Sequence, residues 1–511
     1  MAESIKKKGI SRRDFLKSAG ALTGGLIIAG GLLKMSGIVQ AAEGATPEER
    51  ALNGIEALMR AGKIKKGDTF TIMHHSGQRG NIAPALEEFN KLTGLNFRSA
   101  IIGLESEIYT KAMHEAIVRT GDYDIFLTFC NWIGDMAEAG LILELDEWVK
   151  KYDPEIHEGP NAYVPPLNRF TTMYKGRHFA IGADNDAFSL LYRKDFMEDP
   201  EEQRRFEEKY GRKLEVPNTW EEFDQWVEFF DRPEEGMRGA HLYAERYFAY
   251  TTWAPRFVSK GGMYFDPDTM DPLIDTPEGL EALEEMIALT QKHMSPEAYT
   301  ADWAALYTRF PEGVVFCGMA WPSLAKWAMD PKTSKIVGKV GYARVPGTVH
   351  NGVLYRATPH VVGWSFSISR YGRCPEAAYL WVQWFTGPTV GLEAIARVGT
   401  LDIFRETWFD EPIMHEAYGA DFMPVLLENT KISFPDIALR GASEYIDHLN
   451  INIQEANAGR KDPKKALEDT AKAWQEITNR LGRGGQIEAW RQELLTYPQH
   501  LQDLWKKLGK L

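Results

Sequence analysis

Apolar and polar positions along this chain switch repeatedly between a period of two and a helical period. Phe70-Thr71-Ile72-Met73 is a β-like run, and Ala85, Leu86, Phe89 and Leu92 then fall at the spacing of a helix over Ile82 to Leu92, which Gly94 closes. Asn96 to Ile102 predicts a second strand, Ile108 to Arg119 a second helix and Asp124 to Phe129 a third strand. Strand and helix in alternation at this pace predict an α/β fold with a parallel sheet, in which ligands bind beyond the carboxyl ends of the strands. Those ends are His74 to Arg79 and Cys130 to Trp132. The middle of the chain repeats the pattern. Strands are predicted over Ala187 to Tyr192, Gly313 to Cys317, Val340 to Val345 and Val361 to Ile368. Helices are predicted after the Asn218-Thr219 cap, over Leu280 to His293 and over Pro375 to Phe385. From Glu444 onward only helical patterns remain: Glu444 to Ala458, Pro463 to Leu481, Gln486 to Leu495 and an amphipathic piece to Leu511, with Gly482-Arg483-Gly484-Gly485 reading as a linker. A short amphipathic helix is expected over residues 47–62, ahead of the core.

The first 42 residues follow a different logic. Lys6-Lys7-Lys8 and Ser11-Arg12-Arg13-Asp14-Phe15-Leu16-Lys17 precede an uncharged stretch from Ser18 to Leu33 and the small-residue site Val39-Gln40-Ala41. Basic region, apolar region and cleavage site make a secretory signal, and the paired arginines resemble the twin-arginine type. The expected compartment is the periplasm, reached through the twin-arginine export machinery. No Cys lies near the cleavage site, which excludes a lipid anchor there.

Composition narrows the function further. At 511 residues the chain is too long for one ordinary core, so two or more lobes are expected. The net charge is −13, and because the signal carries +5 the rest carries −18, a poor match for nucleic acid. Three cysteines cannot build an iron–sulfur or Cys-type zinc site, and no cofactor or metal is expected. His74-His75 does not change this, since neighbours on a strand face opposite sides.

Six motifs then occur in order between Asp68 and about Leu481. They are Gly134-Asp135-Met136-Ala137-Glu138-Ala139-Gly140-Leu141-Ile142, Tyr174-Lys175-Gly176-Arg177-His178-Phe179-Ala180-Ile181, Leu190-Leu191-Tyr192-Arg193-Lys194-Asp195, Pro217-Asn218-Thr219-Trp220-Glu221-Glu222-Phe223, Gly318-Met319-Ala320-Trp321, and Gly363-Trp364-Ser365-Phe366-Ser367-Ile368-Ser369 with Pro375-Glu376-Ala377-Ala378. The series resembles the extracellular solute-binding proteins of family 1, the maltose-binding-protein-like periplasmic sugar receptors of ABC importers. The resemblance implies a two-lobed periplasmic-binding-protein fold of type II, with ligand held in a hinged inter-lobe cleft, a permease as membrane partner and no enzymatic activity. It places lobe one at 43–187 plus 346–400, lobe two at 188–345 plus 401–482 and a C-terminal helical extension at 483–511. Chain crossings are implied near Ala187 to Ser189, Val345 to Gly347 and Val398 to Arg405.

A sugar or polyol offers C–H faces to aromatic rings and hydroxyls to polar groups. The resemblance implies contacts from Ser76, Gln78 and Arg79 after the first strand and from Asn131 and Trp132 after the third. Asp184 and Asp186 would act at the first crossing, and Glu245, Tyr247 and Trp321 in lobe two. His360, Trp364 and Tyr445 are further candidates. Arg79, Arg356 and His360 keep open an anionic ligand such as a sugar phosphate or organic acid. Asp184 with Glu245 is the one pairing that could suit an exported glycoside-active enzyme.

Overall fold

The predicted first strand runs over Thr69–His75, with Phe70, Ile72 and Met73 buried, and the helix Arg79–Thr93 follows it. It pairs in parallel with Asn96–Ile102 on one side and Ile125–Thr128 on the other. Ser365–Ile368 returns from far along the chain, antiparallel to Ile125–Thr128, and Ile181–Gly182 closes the edge. A computed structural model describes residues 45–511 of the protein, and the expected export signal lies outside them. Among the described residues no helix is long and apolar enough to cross a membrane.

A second sheet has the order Val340–Ala343, Ser189–Arg193, Val315–Ala320, Arg238–His241. The helix Trp220–Phe230 covers it and starts where the sequence marks it. Thr219 accepts the Glu222 N–H while the Glu222 carboxylate accepts the Thr219 N–H, a capping box. Two sheets with helices on their faces make the expected two-lobed α/β architecture. The chain passes between them at 183–188, again after Ala343, and a third time around 400.

Two expectations change here. The second crossing comes later than Val345 to Gly347. A hairpin, Gly347–His350 with Val353–Arg356, first folds back onto the second lobe: Gly347 N–H donates to Asn218 O, and Thr348 and His350 hydrogen-bond to Ser259. The passage proper is 357–364. Gly482-Arg483-Gly484-Gly485 is not a linker either, because the helix Arg483–Leu494 starts directly after the Gly482 cap. Arg483 is tied to Thr269 O and Asp271, and Gln486 to Arg440 O and the Tyr445 hydroxyl, and these bonds hold the glycines in a helix their propensity disfavours.

Both terminal additions brace the lobes. The helix Pro47–Arg60 lies against Pro375–Phe385, so close at Gly54 that a Cβ there would stand 2.8 Å from a Leu380 methyl. The C-terminal helices cover the flank of the second lobe with three buried tryptophans. Their indole N–H groups are satisfied by backbone carbonyls: Trp474 by Tyr445, Trp490 by Phe265 and Trp505 by Gly262. Trp490→Ala should cost about 3–5 kcal/mol, the usual loss for a buried indole. Urea unfolding should show a lower midpoint, and an unchanged midpoint would mean that this helix does not brace the lobe.

Candidate functional site

A cavity of about 380 Å³ opens where the carboxyl ends of both sheets meet the chain crossings. Lobe one contributes His75, the last residue of its strand, and Phe129, just past the end of Ile125–Thr128. It also contributes Glu105, the first residue of the helix Glu105–Val118. Lobe two contributes Trp321 and Ser323 beyond Val315–Ala320, Phe248 ahead of the helix Ala249–Ser259, and Trp303 and Tyr307. The crossings supply Asp186, Val362, Trp364 and Thr400.

The rings are set as walls at right angles. Trp321 meets Phe248 at 5.1 Å and 82°, and Trp303 at 6.4 Å and 85°. Opposite them Trp364 meets Phe129 at 4.8 Å and 75°, with His75 parallel to Trp364 at 6.0 Å. The Trp321 indole donates to Val361 O at 2.9 Å, which fixes its plane. One bond spans the lobes directly: the Trp303 indole N–H donates to the Glu105 carboxylate at 3.3 Å.

Buried carboxylates hold the crossings together. Asp186 accepts Gly363 N–H at 2.7 Å, and its own N–H donates to His360 Nε2 at 3.0 Å. Asp184 accepts the N–H groups of Asn185 and Asp402. Asp402 accepts Ser323 N–H and the Tyr418 hydroxyl, and pairs with Lys326 at 3.2 Å. Oxygens of Asp184, Asp186 and Asp402 lie within 4.8 Å of one another, close enough for a cation. The Lys326 ammonium already supplies a positive charge there. Burial pushes all three carboxyls up, with their mutual repulsion adding to it at Asp184 and Asp186. Burial also pushes Asp436 up to about 7 and His360 down to about 3, so His360 is a neutral acceptor.

Val362 has φ +81°, a left-handed conformation that a β-branched residue rarely adopts. Its carbonyl accepts Cys130 N–H, its neighbour Gly363 is fixed by Asp186, and Asp436 accepts from Val362 N–H, Asn131 and the Tyr250 hydroxyl. Gly363 itself has φ +57°, and a Cβ on it would come within 2.5 Å of the His360 ring.

Of the thirteen residues singled out in the sequence, Asp186, Trp321 and Trp364 line the cavity. Asn131 and Trp132 stand one layer back, Asn131 donating to Asp436 and Trp132 stacked on Phe129 at 4.2 Å. Gln78 is buried against Thr400, while Ser76 and Arg79 are exposed off the wall. Asp184 and His360 lie inside the hinge. Glu245 caps the helix Ala249–Ser259 by accepting Tyr247 and Phe248 N–H, which leaves Tyr247 half exposed. Tyr445 is corrected outright: it is buried among the C-terminal helices, its hydroxyl bonded to Thr478 and Gln486. The cysteines are all free. Sequence reasoning missed Glu105, Phe248, Trp303, Tyr307 and Thr400. Glu105 was accessible to the strand-end rule, since it follows the second parallel strand; Tyr307 is in the helix Ala304–Glu312, and Phe248, Trp303 and Thr400 sit on irregular segments with no periodic signal.

Two α/β lobes hinged through three crossings, with a ring-lined cavity between them, define a two-lobed periplasmic-type binding fold. The chain belongs to the family described as bacterial extracellular solute-binding protein, whose profile matches residues 103–391, more than half of its length. It is 25% identical over 309 residues to a maltotriose-binding protein of Pyrococcus abyssi, a match spanning 60% of each chain. A solute-binding protein from Agrobacterium radiobacter K84, solved with ribitol, superposes with TM-score 0.69 at 22% identity, covering 81% of this chain and 99% of that one. Maltose-bound MalE3 of T. maritima gives TM-score 0.68 at 21% identity, covering 80% and 100%.

Asp436 sets a pH dependence. Its folded-state value stands above the usual carboxylate range, so the folded protein holds this proton more tightly than the unfolded chain. The resulting stability is fully present below about pH 4 and is lost as the pH rises through about 7. Asp436→Asn should therefore gain stability relative to the parent between pH 5 and pH 8 in urea titrations. A difference independent of pH would show that the carboxyl is ionised in the fold.

Proposed function

We propose that this protein is the exported receptor of an ABC importer. It captures a sugar or polyol between its lobes and presents the closed form to a membrane permease. The observation that carries this is the cavity wall, in which rings from both lobes face one another and hydroxyl and carboxylate groups fill the gaps. Such a wall covers the C–H faces of a sugar and bonds its rim. Relatives named for maltotriose and ribitol support the same class. The anionic reading loses its donors: Arg79 is exposed off the wall, Arg356 is bonded to Val345 O and Asn218, and His360 is neutral in the hinge. Asp184 and Glu245, the pairing raised for glycoside chemistry, have oxygens committed to backbone N–H groups and do not line the cavity.

Delivery to the periplasm would use the twin-arginine pathway, with the chain cleaved to begin at Ala42. Replacing Arg12 and Arg13 together by Lys should leave the protein in the cytoplasm on fractionation, and continued export would refute that route.

The test of function is a thermal-shift screen of the chain from Ala42, unfolded and refolded to strip carried-over ligand, against monosaccharides, disaccharides, polyols, sugar phosphates and organic acids. A ligand bound only by the folded state raises the midpoint by mass action. A rise with a small sugar or polyol, reduced at least tenfold in affinity by Trp321→Ala, is expected. A rise with anions alone would overturn the reading.

A further inference from the structure

The cavity wall carries two carboxylates, Glu105 and Asp186, and among the described residues no lysine or arginine to face them. Glu245, outside the wall, is pushed up to about 7 by burial, with Asp302 and Glu105 adding repulsion. His75 approaches Glu105 at 3.5 Å, and its Nδ1 lies 3.2 Å from Gly77 N–H. Lys326, the one cation near the hinge acids, is buried behind Asp402 and pairs with it. The Arg246 guanidinium lies 5.9 Å from the Tyr247 ring and is felt by Asp447; it is absent from the wall.

The walls are also suited to a cation. Three rings of lobe two, Phe248, Trp303 and Trp321, line the same space that Glu105 and Asp186 border, with Trp321 at 82° to Phe248 and 85° to Trp303. An ammonium over the face of such a ring is attracted by its quadrupole, and more strongly once water is excluded. Closing the lobes over a neutral polyol would take the Glu105 charge out of water with hydrogen-bond donors alone to compensate it, which is costly. An ammonium on the solute would supply both the donors and the counter-charge.

We propose that the solute is a hydroxylated cation, an amino sugar or amino polyol, whose ammonium group sits among Phe248, Trp303 and Trp321 facing Glu105 and Asp186. The inference rests on the receptor reading above and names its substrate class. Hydroxyls on the same molecule would reach Ser323 and Thr400 on the remaining wall. A free amino acid is a poorer fit, because its carboxylate would meet the same acidic wall without a cation to receive it.

The experiment is calorimetric titration of the refolded chain from Ala42 with matched pairs: D-glucosamine against D-glucose, and 1-amino-1-deoxy-D-sorbitol against D-sorbitol, at pH 7 and at two salt concentrations. The expected result is that the amine of at least one pair binds ten or more times tighter than its neutral parent, with the advantage shrinking at high salt. In Glu105→Gln, which keeps an acceptor for the Trp303 indole, the ratio of amine to parent affinity should fall about tenfold. If a neutral parent binds as tightly as its amine, or if the Gln variant keeps the full ratio, the cation inference is overturned while the receptor reading stands. If neither member of any pair binds, and no sugar or polyol in the thermal-shift screen does either, both are overturned.

Discussion

Three chain crossings pass through a space that water does not reach, and carboxylates hold them there. Asp186 has its backbone N–H on His360 and its side chain on Gly363, so one residue of the first crossing fixes both ends of a short segment of the second. Asp184 accepts the Asp402 N–H and thereby ties the first crossing to the third. Asp436 joins lobe one through Asn131 to lobe two through Tyr250, behind Val362. Each of these groups is costly to bury, and the bonds to backbone N–H groups offset part of that cost. The left-handed Val362 is the geometric result: the second crossing bends sharply enough to put Val362 and Trp364 on the cavity wall, and only the surrounding bonds make that bend stable.

The cavity depends on the hinge for its shape and on the strand ends for its chemistry. Trp364 follows the bend by two residues, while Phe129 and Trp321 follow the ends of strands from different sheets. Of the lobe-two rings, Trp321 sits on a strand end and has its plane fixed by the bond to Val361 O. Glu105 begins a helix on the opposite lobe and reaches Trp303 across the cleft, which makes it the group whose surroundings change most when the lobes move.

Much of the fold was legible because it is periodic. Asn96–Ile102, Pro375–Phe385 and Pro463–Leu481 carry their boundaries in apolar spacing and caps, and the structure places them at those residues. The site was legible only where it coincides with strand ends or family motifs, as at Trp321, Trp364 and Asp186. Trp303 and Phe248 lie outside the regular elements, where their placement depends on tertiary packing that no local pattern encodes. Tyr445 misled for the opposite reason: its helical spacing with Leu449 marks a core position, and the core won. The glycine run at 482–485 misled because composition predicts flexibility, whereas bonds from Arg483 and Gln486 to distant carbonyls remove it.

The position of Ser365–Ile368 between Ile125–Thr128 and Ile181–Gly182 constrains how the chain can be made. A ribosome delivers the first sheet's neighbours long before the strand that joins them, and Trp490 and Trp505 cover the second lobe only at the very end. Neither half can finish folding as it emerges. The edges of the first sheet stay open until Ser365–Ile368 has emerged, a long exposure for a topology built on distant pairings.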